Sequence, residues 1–193
     1  DLAGDGRTAL LNVGSDVYYM DLDRGTRQLL ASNSLFPIFA PGDELATTYW
    51  GGKGISRQRA DGSGEPERLI DRDLNVGDTA AEARHHGTIV PTSWNERTGD
   101  LAFFDDGSDI WVLPPGGIAR PFLNTDANER TGRFSPDGRW LAYVSDETGE
   151  YQVYAIAYPD AGRKIAVSID GGLSPIWSPD GRELFFRNGG KLM

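Results

Sequence analysis

The chain has 193 residues, 19 Lys and Arg against 29 Asp and Glu, a net charge of −10 and 38% hydrophobic residues. That composition supports a packed core. It argues against nucleic acid or an anionic membrane surface as partner, because like charges repel. With no Cys there is no disulfide, no thiolate metal site and no cysteine nucleophile.

In chain order, the first apolar segments are residues 9–13 and 17–22, both of strand length, after a glycine-rich turn around Gly4 and Gly6. A second turn of similar make-up is Phe39-Ala40-Pro41-Gly42-Asp43. Gly51-Gly52-Lys53-Gly54 reads as a turn between strands and not as a phosphate loop, since no helix N-terminus follows it. Residues 71–88 form an insertion holding the only two histidines, His85 and His86, and one short helix-forming stretch at 80–84. Trp94-Asn95-Glu96-Arg97-Thr98-Gly99 is the next turn, followed by strands over 101–104 and 110–113. The clearest unit starts with a strand over 130–134 and the turn Ser135-Pro136-Asp137-Gly138, in which Pro presets φ and Gly closes the turn. Residues 140–144 are wholly apolar, as in a strand covered on both faces. A polar turn over 145–150, an alternating strand over 151–157 and an edge strand over 163–168 complete that unit. Trp177-Ser178-Pro179-Asp180-Gly181 repeats the turn 43 positions later, ahead of the apolar residues 184–186.

The turns fall near residues 5, 42, 99, 137 and 180, with successive gaps of 37, 57, 38 and 43. Four-stranded units at this period indicate a β-propeller, because each small sheet buries both faces only by stacking on its neighbours. A β-sandwich accounts for alternating strands and turns but not for a turn motif that returns once in every four strands. The expected fold is therefore all-β: a β-propeller of four-stranded antiparallel blades, with four to five blades present as part of a larger or incompletely closed ring. The expected units are 1–32, 33–71, 88–125, 128–169 and a partial 170–193, with the insertion at 71–88. Open blade edges make self-association an expectation. Trp94, Phe134 and Trp177 hold equivalent places and are expected between blades. Phe103, Trp140 and Phe186 are expected in the buried second strand. Trp50 and Trp111 find no clear place and are candidates for exposure.

The aromatic-Ser-Pro-Asp-Gly turn followed by an apolar strand and Ser-Asp, at Phe134–Gly138 with Leu141–Asp146 and less completely at Trp177–Gly181, resembles the TolB-like (WD-like) β-propeller repeat. Within that group, Asp109-Ile110-Trp111-Val112-Leu113-Pro114, Arg120-Pro121-Phe122-Leu123 and Gly171-Gly172-Leu173-Ser174-Pro175-Ile176-Trp177 are similar to the C-terminal propellers of bacterial serine/threonine kinases. The resemblance implies a non-catalytic module and a periplasmic or other extracytoplasmic bacterial setting.

No catalytic residue is assigned. The Gly-x-Ser-x-Gly elbow, the His-Glu-x-x-His zinc motif, the P-loop and the dinucleotide fingerprint are all missing. His85 and His86 point about 100° apart if helical, and with Glu82 they still lack a full ligand set, so no metal and no cofactor is expected. In an up-and-down blade, the second-to-third turns and the links between blades share one face. The insertion, with Arg84, His85 and His86, then lies on the same face as Asp105, Asp106, Asp109 and Asp146. These seven residues are the candidate binding set. The carboxylates of that face, Asp16, Asp105, Asp106, Asp109, Asp146 and Glu147, read as an acidic rim for a cationic ligand, a divalent ion or a basic partner, or as Asp side chains that only shape their own turns. Three functions follow: a protein- or peptide-binding sensor or scaffold propeller, the gating propeller of a hydrolase whose catalytic domain lies elsewhere, or a lone propeller enzyme using acidic residues and a metal.

Overall fold

The computed structural model describes residues 1–4, 6–41, 44–49, 54–71, 88–105 and 109–193, with the side chains of residues 44 and 46–49 outside that description. Among the described residues there is no helix. The described residues form eighteen strands in five antiparallel sheets, in which each strand pairs with its chain neighbour.

The first sheet holds β1 (Thr8–Val13), β2 (Asp16–Asp21) and β3 (Thr26–Ser32), and the second holds β4 (Ser34–Ala40), β5 (Glu44–Tyr49), β6 (Gly54–Arg59) and β7 (Glu67–Asp71). The third holds β8 (Ile89–Trp94), β9 (Leu101–Asp105), β10 (Ile110–Leu113) and β11 (Arg120–Leu123). The fourth holds β12 (Glu129–Phe134), β13 (Trp140–Ser145), β14 (Gln152–Ala157) and β15 (Lys164–Ala166), and the fifth β16 (Leu173–Trp177), β17 (Leu184–Asn188) and β18 (Lys191–Leu192). The first strands of the second to fifth sheets touch in sequence, β4 on β8, β8 on β12 and β12 on β16, and so line the inside of the arc. In the first sheet that inner place is taken by residues 1–3: Leu2 bridges Ala9, and the Leu10 amide donates to the Asp1 carbonyl at 2.8 Å. This is an open β-propeller: among the described residues, no strand of the fifth sheet packs substantially on a strand of the first, as consecutive sheets do on each other.

Apolar alternation fixes which neighbour each strand face meets. Ile38, Ile55 and Ile70 of the second sheet pack on Leu101, Phe103 and Trp111 of the third. Ala102, Ile110 and Val112 on the other face of the third sheet meet Phe134, Leu141, Tyr143 and Tyr154 of the fourth. A side chain as completely covered as Leu101 or Leu141, both 0% exposed, contributes about 1.5–3 kcal/mol over its exposed state. Residues 140–144 of β13 are apolar, and all but Trp140 are buried, because both faces of the strand are covered. Trp111 is a core residue, 3% exposed and stacked on Phe103 at 6.3 Å, because its β10 position points into the second-to-third sheet layer. Phe134 is buried, while Trp94, Trp140, Trp177 and Phe186 are only half-buried. Trp50 lies outside the described residues. The edge strand expected over 163–168 narrows to Lys164–Ala166, because the Val167 and Ser168 amides both turn to the single Val153 carbonyl and end the ladder.

The two Ser-Pro-Asp-Gly turns are built alike. Ser135 Oγ donates to Asp137 Oδ1 at 2.6 Å and accepts from the Trp140 amide at 3.0 Å. Ser178 does the same with Asp180 at 2.7 Å and Glu183 at 2.9 Å.

Candidate functional site

Because the strands run up and down in chain order, the second-to-third turns and the links between sheets all emerge on one face. On it the structure places Asp105 at the end of β9, 4% exposed, and Asp109 just before β10, 7% exposed. Asp146 follows β13 and is committed to the link between the third and fourth sheets. It accepts the Asn128 amide at 2.7 Å and the Asn128 side-chain Nδ2 at 2.5 Å, and these bonds hold its carboxyl below the usual aspartate range. Arg84, His85, His86 and Asp106 lie outside the described residues.

The residue with the most unusual surroundings is one the sequence did not single out. Glu129 opens β12, opposite Ser145, and is 1% exposed. Its Oε1 accepts from Thr125 Oγ1 at 2.5 Å, while its Oε2, also buried, has no hydrogen-bond partner among the described residues. Burial pushes the Glu129 pKa up, the Thr125 bond opposes this, and the negative charges of Asp109 and Glu147 push it further up. Beside it, burial raises the Tyr143 hydroxyl, with Glu147 and Glu129 adding to the effect. Tyr143 stacks on Tyr154 at 5.6 Å. Lys164 covers Tyr154 at 4.4 Å and pairs with Glu147.

A register signal exists for Glu129. It stands six residues ahead of the turn serine Ser135, and the matching places in the other inner strands are Ser34, Ile89 and Gly172. All four are buried. Only one is an acid.

Both faces of the disc carry ion pairs and, among the described residues, exposed carboxylates without one, such as Glu96, Asp160 and Glu183 on the face opposite the links. On the face opposite the links, Arg7 pairs with Asp23 at 3.2 Å, Arg59 with Asp61 at 3.5 Å and Arg182 with Asp180 at 3.8 Å. On the link face, Asp126, Glu150 and Asp170 are exposed and make no ion pair among the described residues. A cavity of about 620 Å³ opens on the opposite face between the first two sheets, lined by Thr8, Tyr19, Gln28, Arg59, Asp61 and Glu96. Its one arginine is the Arg59 already paired with Asp61. Among the described residues no three His, Asp or Glu side chains are placed to hold a metal ion, and no helix is long and apolar enough to cross a membrane.

No protein-family model matches the chain. Over 149 residues it is 28% identical to a protein TolB homolog of Chlorobium luteolum, a match covering 73% of this chain and 31% of that protein. Over 80 residues it is 34% identical to an uncharacterized peptidase, YuxL, of Bacillus subtilis, covering 40% of this chain and 12% of the peptidase. The chain thus spans less than a third of either curated relative. A solved structure described as a TolB from Agrobacterium tumefaciens superposes with a TM-score of 0.78 at 19% identity, covering 96% of this chain and 67% of that one.

Proposed function

From a TolB-like β-propeller fold, we propose that this chain is a non-catalytic binding module. It holds a protein or peptide partner on its link face, as the sensor or scaffold part of a larger bacterial signalling protein. Fold alone does not fix function, since one propeller architecture serves many roles. The observation that carries the reading is a set of exposed carboxylates on the link face. On the link face Asp126, Glu150 and Asp170 are exposed and make no ion pair among the described residues, which leaves them to a cationic group from outside. The partner's contact surface is accordingly cationic, and of the candidate residues Asp105, Asp109 and Asp146 lie on this face. A photo-crosslinking residue at Glu150 in the intact protein is expected to trap one discrete partner, and the same residue at Asp160 on the opposite face to trap none. Adducts from Asp160 alone, or none from either site, would overturn the assignment.

A second reading rests on the partial identity with the Bacillus subtilis peptidase. In it the propeller gates a hydrolase domain elsewhere in the protein. Labelling of the intact protein by a serine-hydrolase probe, outside residues 1–193, would favour that reading over the first.

A further inference from the structure

The Glu129 carboxyl is costly to bury, with one of its two oxygens unpartnered among the described residues. Burying an acid with one oxygen unpartnered destabilises a fold whether the group is charged or neutral, and far more when it is charged. The repeat shows that the position does not need an acid, since Ser34, Ile89 and Gly172 fill it in the other inner strands. At Gly172 even a Cβ would meet Ser168 Oγ at 2.7 Å, so a small residue suffices there. Glu129 also touches the one segment that ties the third sheet to the fourth. Its Oε1 holds Thr125, whose Oγ1 takes the Ala127 amide at 3.1 Å, and the next residue, Asn128, is fastened to Asp146.

We propose that Glu129 is a proton-operated latch between the third and fourth blades. With its proton on, the neutral carboxyl stays seated in the interface, holding Thr125 and the link 124–128 in place. With the proton gone, a charge is left buried against the carboxylates of the neighbouring elements. The groups facing it are Asp109 ahead of β10, Glu147 after β13 and the Tyr143 hydroxyl on β13. Lys164 of β15 offsets only part of this charge, being paired with Glu147. Asp105 on β9 and Asp146 sit at the same edge, and Arg130, next along β12, is exposed with its guanidinium 5.6 Å from the Tyr151 ring centroid. Ionisation therefore drives Glu129 out towards water, releases Thr125 and loosens the link. The step moves one proton to solvent and makes or breaks no covalent bond. The latch is independent of what the link face binds.

The sign follows from linkage. A carboxyl whose folded pKa lies above its unfolded value stabilises the fold fully below the unfolded pKa, and that contribution is lost as pH rises through the folded pKa. The test is amide exchange of Asn128 and Glu129 by NMR, corrected for intrinsic rates, from pH 5 to pH 8, together with the carboxyl carbon shift of Glu129. In the native chain, protection at these two amides is expected to fall about tenfold across the Glu129 titration, while the Leu141 and Val153 amides stay protected. Glu129→Gln keeps the shape without the proton and is expected to hold protection flat across the range. Asp109→Asn removes one repelling charge and is expected to move the transition to lower pH. The latch is refuted if Glu129→Gln shows the native pH profile or is unprotected throughout. If Glu129→Gln does not fold, an unmoved transition in Asp109→Asn refutes it instead.

Discussion

The Asn95 side chain of the third blade closes on the Gly138 turn of the fourth, donating Nδ2 to the Gly138 carbonyl at 3.0 Å from a site that is 0% exposed. Its Oδ1 accepts the Arg97 and Thr98 amides at 3.0 and 3.2 Å, so one side chain shapes its own turn and fixes the next blade. A Cβ on Gly138 would lie 2.2 Å from that Oδ1, whereas one on Gly181, the same turn position a blade later, meets nothing nearer than Pro136 Cδ at 3.4 Å. Both glycines are left-handed, at φ 66° and 69°, so alanine at either costs roughly 1–2 kcal/mol in backbone strain. Gly138→Ala also breaks a buried hydrogen-bonded contact, and is expected to lose about 2 kcal/mol more than Gly181→Ala in urea unfolding. Equal losses would mean that the Asn95 contact contributes nothing.

A side chain is held in the same left-handed region within β12. Thr131 has φ 59° at the bulge between Arg130 and Arg133, and a β-branched residue rarely tolerates that conformation. Phe36 and Ser174, at φ 54° each, stand at the corresponding bulges of β4 and β16. The bend is thus part of how an inner strand fits the arc, and the residue adapts to it. Thr131→Gly is expected to raise stability by about 1 kcal/mol, read as a higher urea midpoint at unchanged slope. A lower midpoint would show that the threonine side chain contributes more than the strain costs.

These bulges mark where the sequence ceases to be legible. The Ser-Pro-Asp-Gly turns could be read from their letters because their hydrogen bonds close within six residues, and the two copies agree within 0.1 Å. The strands around them follow from apolar runs, and the propeller from the period of the turns. The left-handed positions carry Phe, Thr and Ser instead of Gly, so nothing local announces them. Glu129 is hidden for a different reason. Its burial depends on the third sheet, and Arg130 and Thr131 beside it look like any polar approach to a strand. Of the acidic rim, Asp146 could be placed on its face by strand order, but its commitment to Asn128 depends on a link 18 residues away in sequence.

Three aspartates respond to acid in the direction opposite to Glu129. Hydrogen bonds from Ser135 and the Arg139 amide hold Asp137 below the usual range, those from Ser178 and the Arg182 amide hold Asp180, and those from Asn128 hold Asp146. A depressed folded pKa gives stability that is present above the unfolded value and lost as pH falls through the folded one. The urea midpoint is expected to fall below about pH 4, and the double variant Asp137→Asn, Asp180→Asn to fall less steeply there while starting lower at pH 7. Parallel curves for the two proteins would show that these turns do not sense the titration.

Ile38 and Ile176 stand two residues ahead of matching turn positions, Ala40 and Ser178. Ile38 is 4% exposed because the third sheet covers it, whereas Ile176 is 59% exposed on the fifth sheet, with Ile169 at 83% and Leu192 at 74% nearby in the chain. The covered copy shows what the position does when a neighbour is present: it becomes core. Apolar area gains about 25 cal/mol per Å² on burial, and a sheet edge left open offers backbone groups for pairing as well. The chain is therefore expected to self-associate with rising concentration in sedimentation velocity. Ile176→Lys is expected to weaken that association at least tenfold while leaving the urea midpoint nearly unchanged. Ile38→Lys is the contrasting case, since it places a charge inside a covered layer and is expected to cost more than 3 kcal/mol. A single sedimenting species at all concentrations, unaltered by Ile176→Lys, would show that the exposed isoleucines tolerate water and that the fifth sheet is not a surface on which copies of this chain meet.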